Sequence, residues 1–135
     1  MENNKENNEQ ATKHILIVED DTFMSSLLAR KFSSENFKIS AAANTQQAQE
    51  ILEKENVNLV ILDVVLPGTD GITFLKNIKA NSKYGSVPVV IASNLGQPEE
   101  VKAGMNSGAT DYIVKSNSSP GEIVEKVKSI LEKRP

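Results

Sequence analysis

Five short, largely apolar segments that alternate with five stretches of helical periodicity constrain the fold of this chain more than any other feature. The predicted strands comprise residues 14–18, 37–41, 58–62, 87–92 and 111–114. Each segment is followed by apolar residues at the three- and four-residue spacing of a helix face. Strands connected through helices form a mostly parallel sheet with helices on both of its faces. The sequence therefore predicts an α/β fold with five strands and five helices.

Capping residues mark where two of these helices begin. Asn44, with Gln47 three positions later, resembles a capping box. Ser119, Pro120 and Glu122 supply a cap, a first-turn proline and an acid three residues after the cap. These signals predict helices that start at residues 45 and 120.

The length of 135 residues suits one domain with its own core. Residues 1–12 carry almost no apolar side chains, so their burial cannot offset the entropy lost on ordering. We therefore expect residues 1–12 to be a disordered polar tail and residues 13–135 to form the folded domain.

The composition narrows the classes of function. A formal net charge of −3 argues against nucleic-acid binding, because contacts with the phosphate backbone need a clustered basic face. The chain has no cysteine, which excludes disulfides and thiolate metal sites and suits a reducing compartment. No segment approaches the roughly 18 apolar residues of a membrane span. We expect a cytoplasmic protein that binds neither nucleic acid nor a membrane.

One aspartate interrupts the apolar run of the third predicted strand. Asp63 lies between the apolar residues 60–62 and 64–66, and a loop with proline and two glycines follows at 67–71. A carboxylate is costly to desolvate, so we place Asp63 where the strand ends. Open α/β sheets bind their ligands at that edge.

Polar side chains also follow three other predicted strands. Glu19 and Asp20 come after the first strand, Ser93 after the fourth and Lys115 after the fifth. In a doubly wound sheet whose first and third strands are neighbours, these acids share a crevice with Asp63. Clustered carboxylates suit Mg²⁺, and a cation, an ammonium group and a hydroxyl together stabilise phosphoryl oxygens. Asp63 is then the expected nucleophile.

With their surroundings, these residues resemble the receiver domain of bacterial two-component response regulators, of the chemotaxis-regulator type. The resemblance covers about residues 13–133 and implies a flavodoxin-like sheet of strand order 2-1-3-4-5. It rests on Ile-Leu-Ile-Val-Glu-Asp-Asp at residues 15–21, Leu-Asp-Val-Val-Leu-Pro-Gly-Thr-Asp-Gly at 62–71, Ser93, and Asp-Tyr-Ile-Val-Lys at 111–115.

The resemblance assigns roles to the residues at the site. It implies that Asp63 accepts a phosphoryl group from a histidine kinase, and that no other substrate is turned over, so the chain is not expected to be an enzyme. It also implies a Mg²⁺ ion held by Glu19, Asp20, Asp63 and the backbone carbonyl of Val65.

The remaining family roles concern the switch. Lys115 stands where receivers have the lysine that pairs with the phosphoryl group, Ser93 where they have a switch hydroxyl, and Tyr112 where they have a rotating aromatic side chain. The fourth helix, fifth strand and fifth helix are the expected output surface. Because the chain stops after that helix, we expect output through an unidentified downstream protein or a homodimer.

Each of these residues also has a structural interpretation that the sequence leaves open. The acids at 19–21 would stabilise the following helix by about 0.3–1 kcal/mol through their interaction with its N-terminal dipole. Lys115 would be a solvated strand end, and Ser93 an ordinary loop hydroxyl. Tyr112 would be a packing residue with its hydroxyl at the surface.

The sequence departs from the receiver pattern near the site. Ser116 follows Lys115 where receivers usually have proline in a cis bond, so this loop either stores the strain of a cis bond or leaves the strand in trans. Val65 and Leu95, two residues after Asp63 and Ser93, are apolar at positions that flank the path of the hydrolytic water in the family. We expect slow loss of the phosphoryl group, since nothing polar orients that water.

Four alternatives remain at this point. The chain could be a fragment of a longer regulator, or a docking module that is never phosphorylated. A phosphatase of the haloacid dehalogenase type also uses a strand-end aspartate, but it needs a second acid two residues on, where Val65 stands. A flavodoxin-like cofactor site conflicts with the acids at 19–21, which would repel a cofactor phosphate.

Overall fold

A computed structural model describes residues 12–133, apart from the side chain of Thr69. All five strands of its sheet are parallel, in the order β2-β1-β3-β4-β5. This confirms the predicted fold class and strand order. Of the expected polar tail, residues 1–11 lie outside the described part of the chain. The strands are β1 (His14–Val18), β2 (Lys38–Ala42), β3 (Leu59–Leu62), β4 (Val89–Ser93) and β5 (Asp111–Val114).

Five α-helices connect and follow these strands. A 3₁₀ turn, Lys115–Asn117, lies between β5 and the last helix. The helices are α1 (Thr22–Ser33), α2 (Thr45–Lys54), α3 (Gly71–Ala80), α4 (Pro98–Asn106) and α5 (Pro120–Glu132). The sequence interpretation missed a short antiparallel ribbon between β3 and α3, formed by Val65–Leu66 and Thr69–Asp70.

The sheet has a separate core on each face. Successive side chains of a strand point to opposite faces, so Ile15 and Ile17 of β1 pack on one side and Leu16 and Val18 on the other. The first core is completed by buried residues of α1 and α5, and the second by those of α2 and α3. Burial on both faces explains why β1, β3 and β4 are almost continuously apolar in sequence, whereas β2, at an edge of the sheet, includes Lys38 and Ser40.

The N-terminal caps of α2 and α5 agree closely with the capping signals in the sequence. Ser119 and Glu122 form both bonds of the predicted capping box, at 3.2 and 2.7 Å. Asn44 accepts a hydrogen bond from the Gln47 amide at 2.9 Å, as expected. The Gln47 side chain accepts instead from the amide of Ala43 at 2.8 Å, one residue before the cap.

The fourth strand lies later in the sequence than predicted. It spans residues 89–93 rather than 87–92. Pro88 has no amide hydrogen to donate to the sheet, although its carbonyl still accepts from Val60 at 3.0 Å. The amide of Val87 donates to the Tyr84 carbonyl in a turn. This shift places Ser93 inside the strand, as its last residue.

Among residues 12–133, no helix has the length and apolarity needed to cross a lipid bilayer.

The start of α3 packs directly on the loop that carries Asp63. The amide of Gly71 donates to the Val64 carbonyl at 3.2 Å. A Cβ atom on Gly71 would lie 2.3 Å from the Cα of Val64 and 2.6 Å from its oxygen. Because backbone atoms cannot yield as a side chain does, only glycine fits this position.

Replacement of Gly71 by alanine should therefore lower the free energy of unfolding by about 2 kcal/mol, the cost of overpacking a rigid contact. Urea unfolding measures this loss. Gly121→Ala is the matched control, because its Cβ would meet no atom closer than 3.6 Å. The control should keep or raise stability, by up to about 1 kcal/mol from helix propensity. Equal stabilities of the two variants would contradict the steric argument.

Candidate functional site

Three carboxylates meet at the C-terminal edge of the sheet. Val18 and Leu62 are paired in the register of β1 and β3, so the residues that follow them, Glu19 and Asp63, emerge side by side. One carboxylate oxygen from each of Glu19, Asp20 and Asp63 lies within 4.8 Å of the others. The structure thus brings together the three acids that the sequence placed at the ends of two different strands.

The three acids differ in burial. Glu19 is 5% exposed and Asp63 7% exposed, whereas Asp20 is exposed to solvent. Backbone amides fix one oxygen of each buried carboxylate: Asp21 donates to Oε2 of Glu19 at 3.1 Å, and Val65 donates to Oδ1 of Asp63 at 3.0 Å. Burial raises the pKa of Glu19, although its contacts with Lys115 and the Asp21 amide oppose that effect.

Lys115 bridges the two buried carboxylates. Its Nζ donates to Oδ2 of Asp63 at 2.9 Å and also to Oε1 of Glu19. Burial by itself lowers the pKa of Lys115, but the hydrogen bonds to Glu19 and Asp63 outweigh burial and raise it. The lysine therefore stays charged, and one cation faces three acids.

The bond after Lys115 is trans, because no peptide bond between residues 12 and 133 is cis. Ser116 left two geometries open for this loop, a strained cis bond or a trans bond, and the structure shows the trans bond. The chain leaves β5 through the 3₁₀ turn, in which the Ser118 amide donates to the Lys115 carbonyl at 3.3 Å. This turn allows the lysine to reach the acids without a cis bond.

Ser93 and Tyr112 both attach to the backbone of Leu95. Ser93 is fully buried at the end of β4, and its Oγ accepts from the Leu95 amide at 3.2 Å. The Tyr112 hydroxyl donates to the Leu95 carbonyl at 2.5 Å. Burial raises the pKa of Tyr112, so this hydroxyl remains a donor at neutral pH. The site and the β5 aromatic side chain are thus connected through a single residue of the loop after β4.

Exposed apolar side chains stand on the loops around the acids. Val65 is 54% exposed and Leu95 39% exposed, and both follow strands that end at the site. Phe23, at the start of α1, is 72% exposed, and its amide donates to Asp21, the residue that caps this helix. Phe23 was not among the residues predicted for the site, although its position off the apolar stripe of α1 signals exposure.

The chemistry available at this edge follows from its charges. Three carboxylates against one ammonium leave a negative pocket, and oxygen ligands at this spacing can hold a hard divalent cation. The fully buried hydroxyl of Ser93 ends the strand next to β3. The pocket therefore combines a buried carboxylate, that of Asp63, with groups that can stabilise negative oxygen atoms.

Known proteins share this sequence pattern and fold. A model of the response regulator receiver domain family matches residues 15–128. The phosphate regulon transcriptional regulatory protein PhoB of Pseudomonas aeruginosa is 31% identical over 121 residues, which cover 90% of this chain and 52% of PhoB. The transcriptional regulatory protein SrrA of Staphylococcus aureus is 34% identical over 122 residues, which cover 90% of this chain and 49% of SrrA. This chain spans about half the length of these two relatives.

A solved structure agrees with this family match. The crystal structure of a CheY-like response regulator receiver domain protein from Methanospirillum hungatei superposes with a TM-score of 0.81. The two chains are 27% identical, and the match covers 90% of this chain and 95% of that one.

Replacement of Lys115 by alanine should lower the free energy of unfolding near pH 7 by about 3 kcal/mol, because two buried carboxylates lose their cation. The pKa of Glu19, already raised by burial, then rises further. A folded state that binds a proton more tightly than the unfolded chain loses stability as the pH rises. The deficit should therefore be smaller near pH 4.5 than near pH 7, as measured by urea unfolding at both values.

Lys126→Ala is the control for this experiment, since it breaks an exposed ion pair with Asp111 in which the two side chains are 47% and 35% exposed. That loss should stay below about 1 kcal/mol. If Lys115→Ala costs no more than the control, the buried bridge contributes nothing to stability.

Proposed function

Because this chain belongs to the response regulator receiver domain family, we propose that it is a two-component signalling switch in which Asp63 accepts a phosphoryl group from a histidine kinase. The observation that carries this proposal is the 2.9 Å contact between Lys115 Nζ and Oδ2 of Asp63, beside the carboxylates of Glu19 and Asp20. A carboxylate at a sheet edge with a cation already beside it is suited to carry a phosphoryl group.

The transfer uses the chain's own groups in defined roles. A carboxylate oxygen of Asp63 attacks phosphorus, the bond from phosphorus to the histidine nitrogen breaks, and its electron pair returns to the imidazole. Lys115 pairs with the phosphoryl oxygens, and the Ser93 hydroxyl turns from the Leu95 amide to donate to them. The phosphoryl group stays on Asp63, so the chain acts as a switch rather than an enzyme.

The acids fit a Mg²⁺ site. Glu19, Asp20, Asp63 and the backbone carbonyl of Val65 would hold the ion, which suits oxygen ligands and keeps several waters. When bound, Mg²⁺ neutralises the charge that gathers on the phosphoryl oxygens. The proposed compartment is the cytoplasm, which suits a chain without cysteine.

Phosphorylation replaces the single negative charge of the Asp63 carboxylate with a phosphoryl group that carries about −1.5 to −2 charges. As Ser93 turns toward these charges, it releases the Leu95 amide, and the bond from Tyr112 to the Leu95 carbonyl responds. The exposed surface of α4, β5 and α5 then changes its affinity for a downstream protein or for a second copy of the chain.

Phosphorylation itself can be tested by intact-mass measurement. Incubation with Mg²⁺ and a small acyl phosphate should add the mass of one phosphoryl group to the wild type. Asp63→Asn should show no adduct, and chelation of Mg²⁺ should suppress the adduct in the wild type. Asp70→Asn is the matched control, since asparagine still caps α3 in place of the aspartate. A wild type that gains no mass, or an adduct that survives Asp63→Asn, contradicts the proposal.

The lifetime of the phosphorylated state is the second test. The exposed side chains of Val65 and Leu95 offer no polar group to orient an attacking water, so the acyl phosphate should be long-lived. Val65→Asn and Leu95→Glu should each accelerate its loss by about tenfold, because a positioned polar group assists the water. Val65→Ala is the control for side-chain size, because it shortens the side chain without adding a polar group. The measurement follows the loss of the phosphorylated protein after the acyl phosphate is removed. Equal rates of loss for the wild type and the polar variants would refute the hypothesis.

A further inference from the structure

The ring of Tyr112 packs on the backbone of α4 at a glycine. A Cβ atom on Gly104 would lie 3.1 Å and 3.2 Å from the Cδ2 and Cε2 atoms of Tyr112. It would also lie 2.6 Å from Cδ1 of Ile91, which is fully buried in β4. A side chain at position 104 would therefore occupy space that the tyrosine ring and the isoleucine now fill.

No backbone requirement explains a glycine at this position. Gly104 lies inside α4, and its φ angle is not in the left-handed region. Alanine would favour the helix, because glycine loses more conformational freedom when it folds. The steric contact with Tyr112 and Ile91 is the structural reason for the missing side chain.

Helix α4 has an unusual attachment to the sheet. Each of the other four helices buries at least two side chains larger than glycine, whereas Gly104 is the only buried residue of α4. Met105, the next residue, is 40% exposed. The side-chain surface beneath α4 therefore comes from the sheet, and Tyr112 supplies part of it.

The other end of Tyr112 contacts the loop that leads into α4. Its hydroxyl donates to the Leu95 carbonyl, and Gln97, two residues later, caps the helix. The ring lies beneath the last turn of the helix, at Gly104. One side chain thus contacts both the loop that enters α4 and the last turn of α4, so a movement of that side chain changes the position of the helix on the sheet.

We propose that Gly104 is a positioning residue of the switch: its bare backbone admits the Tyr112 ring to the space between α4 and β4, and this contact sets the position of α4. Any side chain at position 104 then shifts the tyrosine toward solvent. The regulatory meaning of this shift rests on the proposed function, since it makes Tyr112 part of the signal. The packing relation holds in the unphosphorylated protein as well.

The composition of the chain allows a direct test. There is no tryptophan, and Tyr84 and Tyr112 are the only two tyrosines. In a Tyr84→Phe background, tyrosine fluorescence reports Tyr112 alone. Addition of Gly104→Ala should raise the acrylamide quenching constant about twofold, as the solvent-exposed population of the ring grows. An unchanged quenching constant overturns the proposal.

Two controls use the same fluorescence background. Gly121→Ala makes the same chemical change in α5, where the nearest atom to the new Cβ is 3.6 Å away. Ala103→Gly alters the helix propensity of α4 at an exposed neighbour of Gly104. Neither should change the quenching constant, and a change of equal size in either control overturns the assignment to the Gly104 contact.

A further variant separates the two contacts of Gly104. Ile91→Val removes the Cδ1 atom that lies 2.6 Å from the built Cβ and leaves the ring contact in place. In the Gly104→Ala protein, this second change should leave Tyr112 more exposed than in the wild type. A return to the wild-type value would assign the effect to Ile91 and overturn the role of the tyrosine.

A stability measurement keeps the proposal testable if Gly104→Ala folds poorly. The loss caused by Gly104→Ala should shrink in a Tyr112→Ala background, because the ring that the new methyl group meets is gone. An equal loss in both backgrounds overturns the proposal.

Phosphorylation provides a readout that separates this inference from the proposed function. In the Tyr84→Phe protein, adduct formation should change the quenching constant of Tyr112, and Gly104→Ala should diminish that change. If the mass measurement shows no adduct, the proposed function fails, while the quenching constants of the unphosphorylated variants still decide the role of Gly104.

Discussion

The ammonium group of Lys115 holds together two carboxylates that the sheet forces side by side. Glu19 and Asp63 cannot separate, because they follow paired residues of β1 and β3. Both are nearly buried, and the cation offsets a repulsion that would otherwise oppose the pairing of these two central strands. The geometry of the site and the integrity of the sheet therefore depend on the same contact. The third acid, Asp20, lies exposed at this edge and leaves the pocket negative enough to attract a divalent cation.

The sequence predicted this fold well because burial on both faces leaves a strong signal. Continuous apolar runs such as residues 15–18 identify strands regardless of which strands pair. Periodicity does not encode the strand order, which came from the family resemblance and is confirmed by the structure. The predicted boundaries of β4 were wrong because backbone chemistry decides them. Pro88 cannot donate to the sheet, so β4 begins at Val89, two residues later than predicted, and Ser93 is its last residue.

The candidate site was accessible from the sequence because its side chains are charged and follow strand ends. Glu19, Asp63 and Lys115 needed only a strand order to be brought together. The trans bond after Lys115 could not be predicted, since a non-proline residue there permitted two loop geometries. Gly104 was missed for a different reason. Gly104 matters because it has no side chain, and the Tyr112 ring that fills the resulting space belongs to β5, so nothing in the sequence around residue 104 indicates the contact.

The contacts of Lys115 also bear on how the chain folds. The turn from Asp63 to Gly71 closes on itself through a short ribbon and through the contact of Gly71 with Val64, so this segment forms from near neighbours in sequence. The lysine reaches across 52 residues to Asp63 and 96 to Glu19. Contacts of such separation form slowly, because a long loop must close first. During synthesis, the segment from Asp63 to Gly71 therefore emerges before Lys115, and the site is complete only after the last strand has joined the sheet.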